Sequence, residues 1–393
     1  MRHSHCYNAH MDIFSLSPLH SAWVKRLDAR DATQQRRRLR APLTIDFCSN
    51  DYLGWARQSF GSHEATSFDV QQHGATGSRL LSGQAQAISA LEAQVADFHQ
   101  TEAALLFNSG FDANIGTLAA ISDRHTVFIY DELCHASLID GMRLSMSRHT
   151  YKFRHNDVAH LSELLEKNAH APLCIVVESV YSMDGDVAPL KELVALAKAA
   201  QACIVVDEAH GTGVIGAHGE GLVQHLDLQN DIDIRIHTYG KGLGCHGAAV
   251  VGSQLLIDTL INFARPFIYS TALPPASYAA IERAYAALAS DDFSNAPLHD
   301  AIASFRAKIA ARDWTQHHVS WLDSNTPIQG LIIGDVMRTH AVAQALQAQQ
   351  LDVRPILAPT VPAGSERLRM CVHAFNTESE LTLLFDTLCQ ALQ

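Results

Sequence analysis

Apolar residues in the middle of the chain come in short unbroken runs, at 103–107, 127–130, 174–178 and 203–207. Between them lie segments whose apolar residues recur at helical spacing. Ile88, Leu91, Val95 and Phe98 share one helix face, as do Leu190, Leu193, Val194 and Ala197. Leu161, Leu164 and Leu165 mark a further helix, with Asn156 or Asp157 as its cap. Runs that are apolar throughout, separated by helices, predict a mostly parallel sheet covered on both faces. Helices are predicted over residues 20–40, turning basic, and near Asn114 after the strand at 103–107. The order changes around 267–275. An alanine-rich helix from about 277 leads into a smaller α+β part with strands near 329–333, 352–356 and 367–372. A last helix opens on the capping box Thr377-Glu378-Ser379-Glu380 and turns Leu381, Leu384, Phe385 and Leu388 inward. The expected organisation is an N-terminal arm over 1–50, a large α/β domain over 51–285 and a C-terminal domain over 286–393, without internal repeats.

Composition narrows the possible functions. Of 393 residues 47% are apolar and 18% charged, and the net charge of −12 argues against a general nucleic-acid binder. No apolar run nears the ~18 residues of a membrane span. The first ten residues are polar and His-rich, so the expectation is a cytoplasmic protein without a signal peptide, with Met11 as a second candidate start. Eight dispersed cysteines form no Cys-x-x-Cys pair, which favours reduced core thiols, such as Cys174 and Cys203, over disulfides or a metal site. The basic run Lys25, Arg26, Arg30, Arg36, Arg37, Arg38 and Arg40 contrasts with the acidic whole. Such a run is usually a solvated face, but it also suits an anionic substrate or an acidic carrier protein.

In parallel sheets of this kind ligands collect at the carboxyl ends of the strands, where His135, Ser182, Asp207 and His210 all fall. Lys241 stands between Gly240 and Gly242 after Thr238, which leaves an amine exposed on a tight turn. A partly desolvated lysine has a lowered pKa and attacks aldehydes such as that of pyridoxal phosphate (PLP). Two rival readings fail on missing residues. A P-loop needs Ser or Thr after the lysine, where Gly242 stands, and Asp207-Glu208-Ala209-His210 has the letters of a helicase motif but no P-loop before it. With PLP each residue type has work to do. Asp207 would keep the ring nitrogen protonated, His135 would lie on the ring, His210 would bond its oxygen, and Ser182 and Thr238 offer hydroxyls. The turn at Asn108-Ser109-Gly110-Phe111 opens a helix whose free N–H groups suit a phosphate.

These motifs occur together and in order. Ser49-Asn50-Asp51-Tyr52-Leu53-Gly54, Ser109-Gly110-Phe111, His135-Ala136-Ser137-Leu138, Tyr181-Ser182-Met183-Asp184-Gly185-Asp186, Asp207-Glu208-Ala209-His210-Gly211-Thr212-Gly213, Thr238-Tyr239-Gly240-Lys241-Gly242 and Pro359-Thr360-Val361-Pro362 span most of the chain. In this it resembles the α-oxoamine synthases, fold-type I PLP enzymes that condense an amino acid with an acyl thioester. Within that family it is most similar to members that join L-alanine to a pimeloyl thioester, on CoA or acyl carrier protein, in biotin synthesis.

The resemblance implies that Lys241 carries PLP, Asp207 meets the pyridine nitrogen, His135 stacks on the ring, and Ser182 and His210 contact its oxygen. Gly110, Phe111 and Thr238 would hold the phosphate, while Arg37, Asn50, His135 and Thr360 match substrate-contacting positions. A homodimer is implied too, with the site at the subunit interface and the 74–83 loop and Ser270-Thr271 reaching the partner's cofactor. The chain departs from the family in two places. The segment between Arg38 and Ile45 is short, and the arginine expected three residues before the Thr of Pro-Thr-Val-Pro is Leu357. Arg354, at an offset that turns it to the other face of a regular strand, and Arg369 are the candidate replacements. Glycine-plus-acetyl-CoA ligase, aminolevulinate synthase and serine palmitoyltransferase would share nearly all these residues. A catalytically silent partner subunit or an aminotransferase are readings from outside the condensing group.

Overall fold

The computed structural model describes residues 17–58 and 66–393, so the polar first ten residues and Met11 lie outside the described residues. Thirteen strands occur among the described residues. They are β1 Ile45–Asp46, β2 Ala103–Phe107, β3 Val127–Asp131, β4 His149–Phe153, β5 Leu173–Glu178, β6 Cys203–Asp207, β7 Ile234–Thr238, β8 Ala248–Gly252, β9 Ser320–Trp321, β10 Ile328–Ile332, β11 Leu351–Asp352, β12 Arg354–Ile356 and β13 Arg367–Cys371. Seven build the large sheet in the order β2-β8-β7-β6-β5-β3-β4, in which β8 alone runs against the others. Along β5, Leu173, Ile175 and Val177 enter one core with Leu161 and Leu193, while Cys174 and Val176 enter another with Leu118 and Leu138. That alternation explains why the strand is apolar throughout: helices bury both of its faces.

The C-terminal sheet, β12-β13-β10-β9, is antiparallel throughout. Phe47, Tyr52 and Leu53 join its core with Leu331, Leu368 and Phe385, and β1 pairs in parallel with β11. The motif at 49–54 is thereby carried on the C-terminal part while it faces the large sheet. The last helix, Glu378–Ala391, has the reciprocal capping box of Thr377 and Glu380 that its sequence predicts.

Several elements differ from expectation. The basic helix, α1 Pro18–Ala32, stops at Thr33, buries no residue, and leaves Arg36 to Arg40 on an irregular segment. The strand expected at 352–356 is divided, because Leu351–Asp352 pairs with β1 and Arg354–Ile356 with β13. Helix α2 spans Gln86–Phe98, and α3 spans Gly110–Ala120, starting four residues ahead of Asn114 because the Ser109 side chain caps it. Two elements gave little apolar signal: α4, Ala136–Leu144, and β4, an edge strand whose first four residues are exposed.

Candidate active site

The carboxyl ends of β3, β5, β6 and β7 open along one edge of the large sheet, and the turn between β7 and β8 presents Lys241 there. Gly242 is required by close packing: a Cβ at that position would stand 2.4 Å from the Thr212 carbonyl oxygen. The lysine is half-buried rather than exposed on its turn as expected, and its Nζ lies 2.8 Å from His210 Nε2. On the far side of that imidazole, Nδ1 is 2.7 Å from the Tyr52 hydroxyl, which is 3.1 Å from Asn50 Oδ1. Asn50 Oδ1 accepts from Arg369 Nη2 at 3.0 Å, and Arg369 Nε donates to the Ser182 carbonyl at 2.6 Å. One hydrogen-bonded chain thus joins Lys241, His210, Tyr52, Asn50, Arg369 and Ser182.

Electrostatics favour an amine that sheds its proton readily. Burial lowers the Lys241 pKa and nearby Arg369 adds to this, although the charges of Asp207 and Glu178 oppose it. His210 is pushed well below the ordinary imidazole value by burial and then by Lys241 and Arg369, so the ring is neutral near pH 7. A neutral imidazole beside a lysine of lowered pKa leaves the amine able to accept and return a proton.

A second chain surrounds the carboxylate. Asp207 Oδ2 accepts from Asn114 Nδ2 at 2.7 Å and Oδ1 from the Ala209 N–H at 2.8 Å. Asn114 Nδ2 also reaches Ser137 Oγ at 2.8 Å, which lies 2.6 Å from His135 Nδ1. His135 caps α4 and keeps an exposed ring, while its own N–H donates to Glu178 Oε1 at 2.5 Å. Partial desolvation by the surrounding site lowers its pKa despite Asp207, with Lys241 contributing in the same direction. At the start of α3, Gly110 packs so closely on Thr238 that a Cβ would stand 2.1 Å from Thr238 Oγ1. That cradle sits where the unpaired N–H groups of a helix's first turn attract an anion, with Phe111 beside it and 46% exposed.

The structure therefore brings Lys241, His210, Asn50 and Ser182 into one network, Asp207 and His135 into another, and Gly110 against Thr238. Arg37 and Thr360 pair with each other, Nη2 to Oγ1 at 3.3 Å, and among the described residues no hydrogen bond ties them to the lysine network. Of the two candidate arginines, Arg369 joins that network, whereas Arg354 is held by Asp352 at 2.6 Å. Sequence reasoning passed over Tyr52, Asn114, Ser137 and Glu178. Tyr52 and Ser137 lie inside the motifs at 49–54 and 135–138, whereas Asn114 carries no signal beyond its helical offset from Gly110.

An amine of lowered pKa, a buried carboxylate and an anion cradle along one sheet edge fit pyridoxal phosphate. The mostly parallel sheet with its antiparallel C-terminal companion is the fold of the type I PLP-dependent transferases. The chain belongs to the aminotransferase class I and II family, whose model matches residues 43–388. It is 37% identical to the 8-amino-7-oxononanoate synthase of Cellvibrio japonicus, covering 91% of this chain and 92% of that one. Identity to the 8-amino-7-oxononanoate synthase of Pseudomonas syringae pv. syringae is 39%, covering 93% and 94%. Among solved structures, Sphingomonas wittichii serine palmitoyltransferase matches with a TM-score of 0.80 at 26% identity, over 96% of this chain and 98% of that one. The 8-amino-7-oxononanoate synthase of Francisella tularensis matches in fold with a TM-score of 0.72 at 24% identity, over 88% and 97%.

Proposed function

We propose that this chain is a PLP-dependent acyltransferase that condenses L-alanine with a pimeloyl thioester, releasing CO₂ and giving 8-amino-7-oxononanoate. The observation that carries the reading is the Lys241 amine 2.8 Å from a neutral His210, in one network with Arg369. When bound, the cofactor supplies an electron sink for negative charge at the amino acid's α-carbon. Lys241 would hold it and, once its amine is free again, would move the α-proton of the amino acid, while Asp207 would meet the ring nitrogen and His135 the ring. Gly110, Phe111 and Thr238 would hold its phosphate, and Ser182 and His210 its ring oxygen. Arg369 takes the carboxylate of the amino acid beside Asn50, which accounts for Leu357 standing where the family places an arginine. Arg37 and Thr360 meet the acyl donor.

The reading includes a homodimer acting in the cytoplasm. Its support is the family likeness and, for the described residues, that no helix is long and apolar enough to cross a membrane. The test is mass spectrometry of products from alanine or glycine, each offered with pimeloyl-CoA and acetyl-CoA. Formation of 8-amino-7-oxononanoate from alanine and pimeloyl-CoA is expected. A preference for glycine with acetyl-CoA, or release of a keto acid with no condensed product, would overturn the assignment.

A further inference from the structure

Beside α1 and the irregular segment after it, a cleft of about 400 Å³ is lined by Arg30, Arg36, Arg38, Arg40, His340 and Arg354, with Arg37 and Thr360 also on its wall. None of its described lining residues is acidic. Asp31 pairs with Arg36 at 2.5 Å and more distantly with Arg38, and Asp352 takes Arg354. The hydrogen bonds of Arg30, Arg37 and Arg40 go to the neutral oxygens of Gln35, Thr360 and Gln347, at 3.5, 3.3 and 3.5 Å. Six guanidinium groups thus face two carboxylates, in a chain whose net charge is −12. A positive field concentrated in a concave site on an acidic protein raises the local concentration of anions.

The cleft also adjoins the reaction centre. In the β12–β13 ladder Arg354 lies directly opposite Arg369, and residues so paired have Cα atoms roughly 5 Å apart and side chains on the same face. Neighbouring strands therefore carry Arg354 of the cleft and the arginine assigned to the amino acid carboxylate. The guanidinium fork matches phosphate oxygens two at a time, which distinguishes a row of arginines from a generally solvated basic face.

We infer that this cleft binds the phosphate end of the acyl donor's pantetheine handle, the anion that free CoA and a protein carrier have in common. The inference rests on the acyl-thioester reading above and adds where the part of the donor remote from the thioester is held. Arg37 and Thr360 then mark the inner end of its path and Arg30, Arg38 and Arg40 the outer end.

The test compares wild type with the triple variant Arg30→Gln, Arg38→Gln, Arg40→Gln on three donors: pimeloyl-CoA, pimeloyl carrier protein, and pimeloyl-N-acetylcysteamine, which lacks phosphate. Loss of three arginine contacts should raise KM for at least one phosphate-bearing donor by about ten-fold or more, and rising salt should shrink the difference. The KM values for alanine and the truncated thioester should stay within about two-fold, because nothing that touches the reacting atoms has changed. Lys25→Gln, Arg26→Gln removes charge from the same helix outside the cleft and should leave every KM unchanged. Whichever phosphate-bearing donor responds identifies the handle. Unchanged KM for both, an equal rise with the truncated thioester, or an equal effect of the control variant would overturn the inference. Should wild type convert none of the donors, the acyl-transfer reading fails by itself. Calorimetric titration with CoA alone then decides the cleft: binding lost in the triple variant upholds it, and equal or absent binding in both proteins refutes it.

Discussion

Replacing His155 with glutamine should destabilise the enzyme most at low pH, because this imidazole clamps the turn after β5 to the end of β3. Its Nδ1 lies 2.9 Å from Asp131 Oδ1 and its Nε2 2.6 Å from Asp186 Oδ2, with the ring edge-on to Tyr181 at 4.5 Å. Burial alone would lower the His155 pKa, but its bonds to the two carboxylates outweigh that and raise it from 6.5 to about 10. Two charge-assisted bonds would be worth about 3–6 kcal/mol if fully buried. The His155 side chain is 23% exposed, so solvent screening reduces the expected loss to about 2–3 kcal/mol. A folded-state pKa above the unfolded one gives stability that is complete below pH 6.5 and is lost as pH rises through about 10. Urea unfolding of both proteins at pH 6, 8 and 10 should therefore show a stability gap of about 2–3 kcal/mol at pH 6, closing to under about 1 kcal/mol at pH 10. A gap equal at all three values, or none at pH 6, would refute a charged bridge. Tyr181 precedes Ser182, whose carbonyl holds Arg369, so the variant should also raise KM for alanine.

Asp207→Asn keeps the side chain's shape but removes its charge and sets an amide against Asn114 Nδ2. We expect kcat to fall by roughly 100- to 1,000-fold with the circular dichroism spectrum intact, and a fall under ten-fold would argue against its electrostatic role. Arg369→Gln removes a cation bonded to Asn50 and Ser182 and should raise KM for alanine by roughly 30-fold or more. An unchanged alanine KM there would return Arg354 as the anchor. Gly110→Ala forces a methyl group against Thr238 Oγ1 and should weaken PLP binding by about ten-fold or more, read by absorbance titration of the cofactor-free protein. Equal affinity would place the phosphate elsewhere.

What the sequence made legible follows from which residues must be apolar or capped whatever their neighbours. The strands at 174–178 and 203–207 were readable because both faces are buried, and the last helix because Thr377 and Glu380 satisfy each other locally. β4 was not, since an edge strand with four exposed residues needs no apolar pattern, and its position is set by pairing with β3. The division of 351–356 was equally hidden, because it depends on β1, some 300 residues away, taking one half of the segment. Among candidate site residues, Lys241, Asp207 and His210 follow strand ends, so local order alone brings them to one sheet edge. Arg369 required the C-terminal sheet to be laid against the large one before its reach to Ser182 and Asn50 existed. The same dependence explains the arginine cleft: its two walls are brought together by the β1–β11 pair and by bonds such as Arg37 to Thr360 and Arg40 to Gln347. A charge run that the sequence could only contrast with an acidic whole becomes one wall of a cleft whose opposite wall carries Arg354, the ladder partner of Arg369.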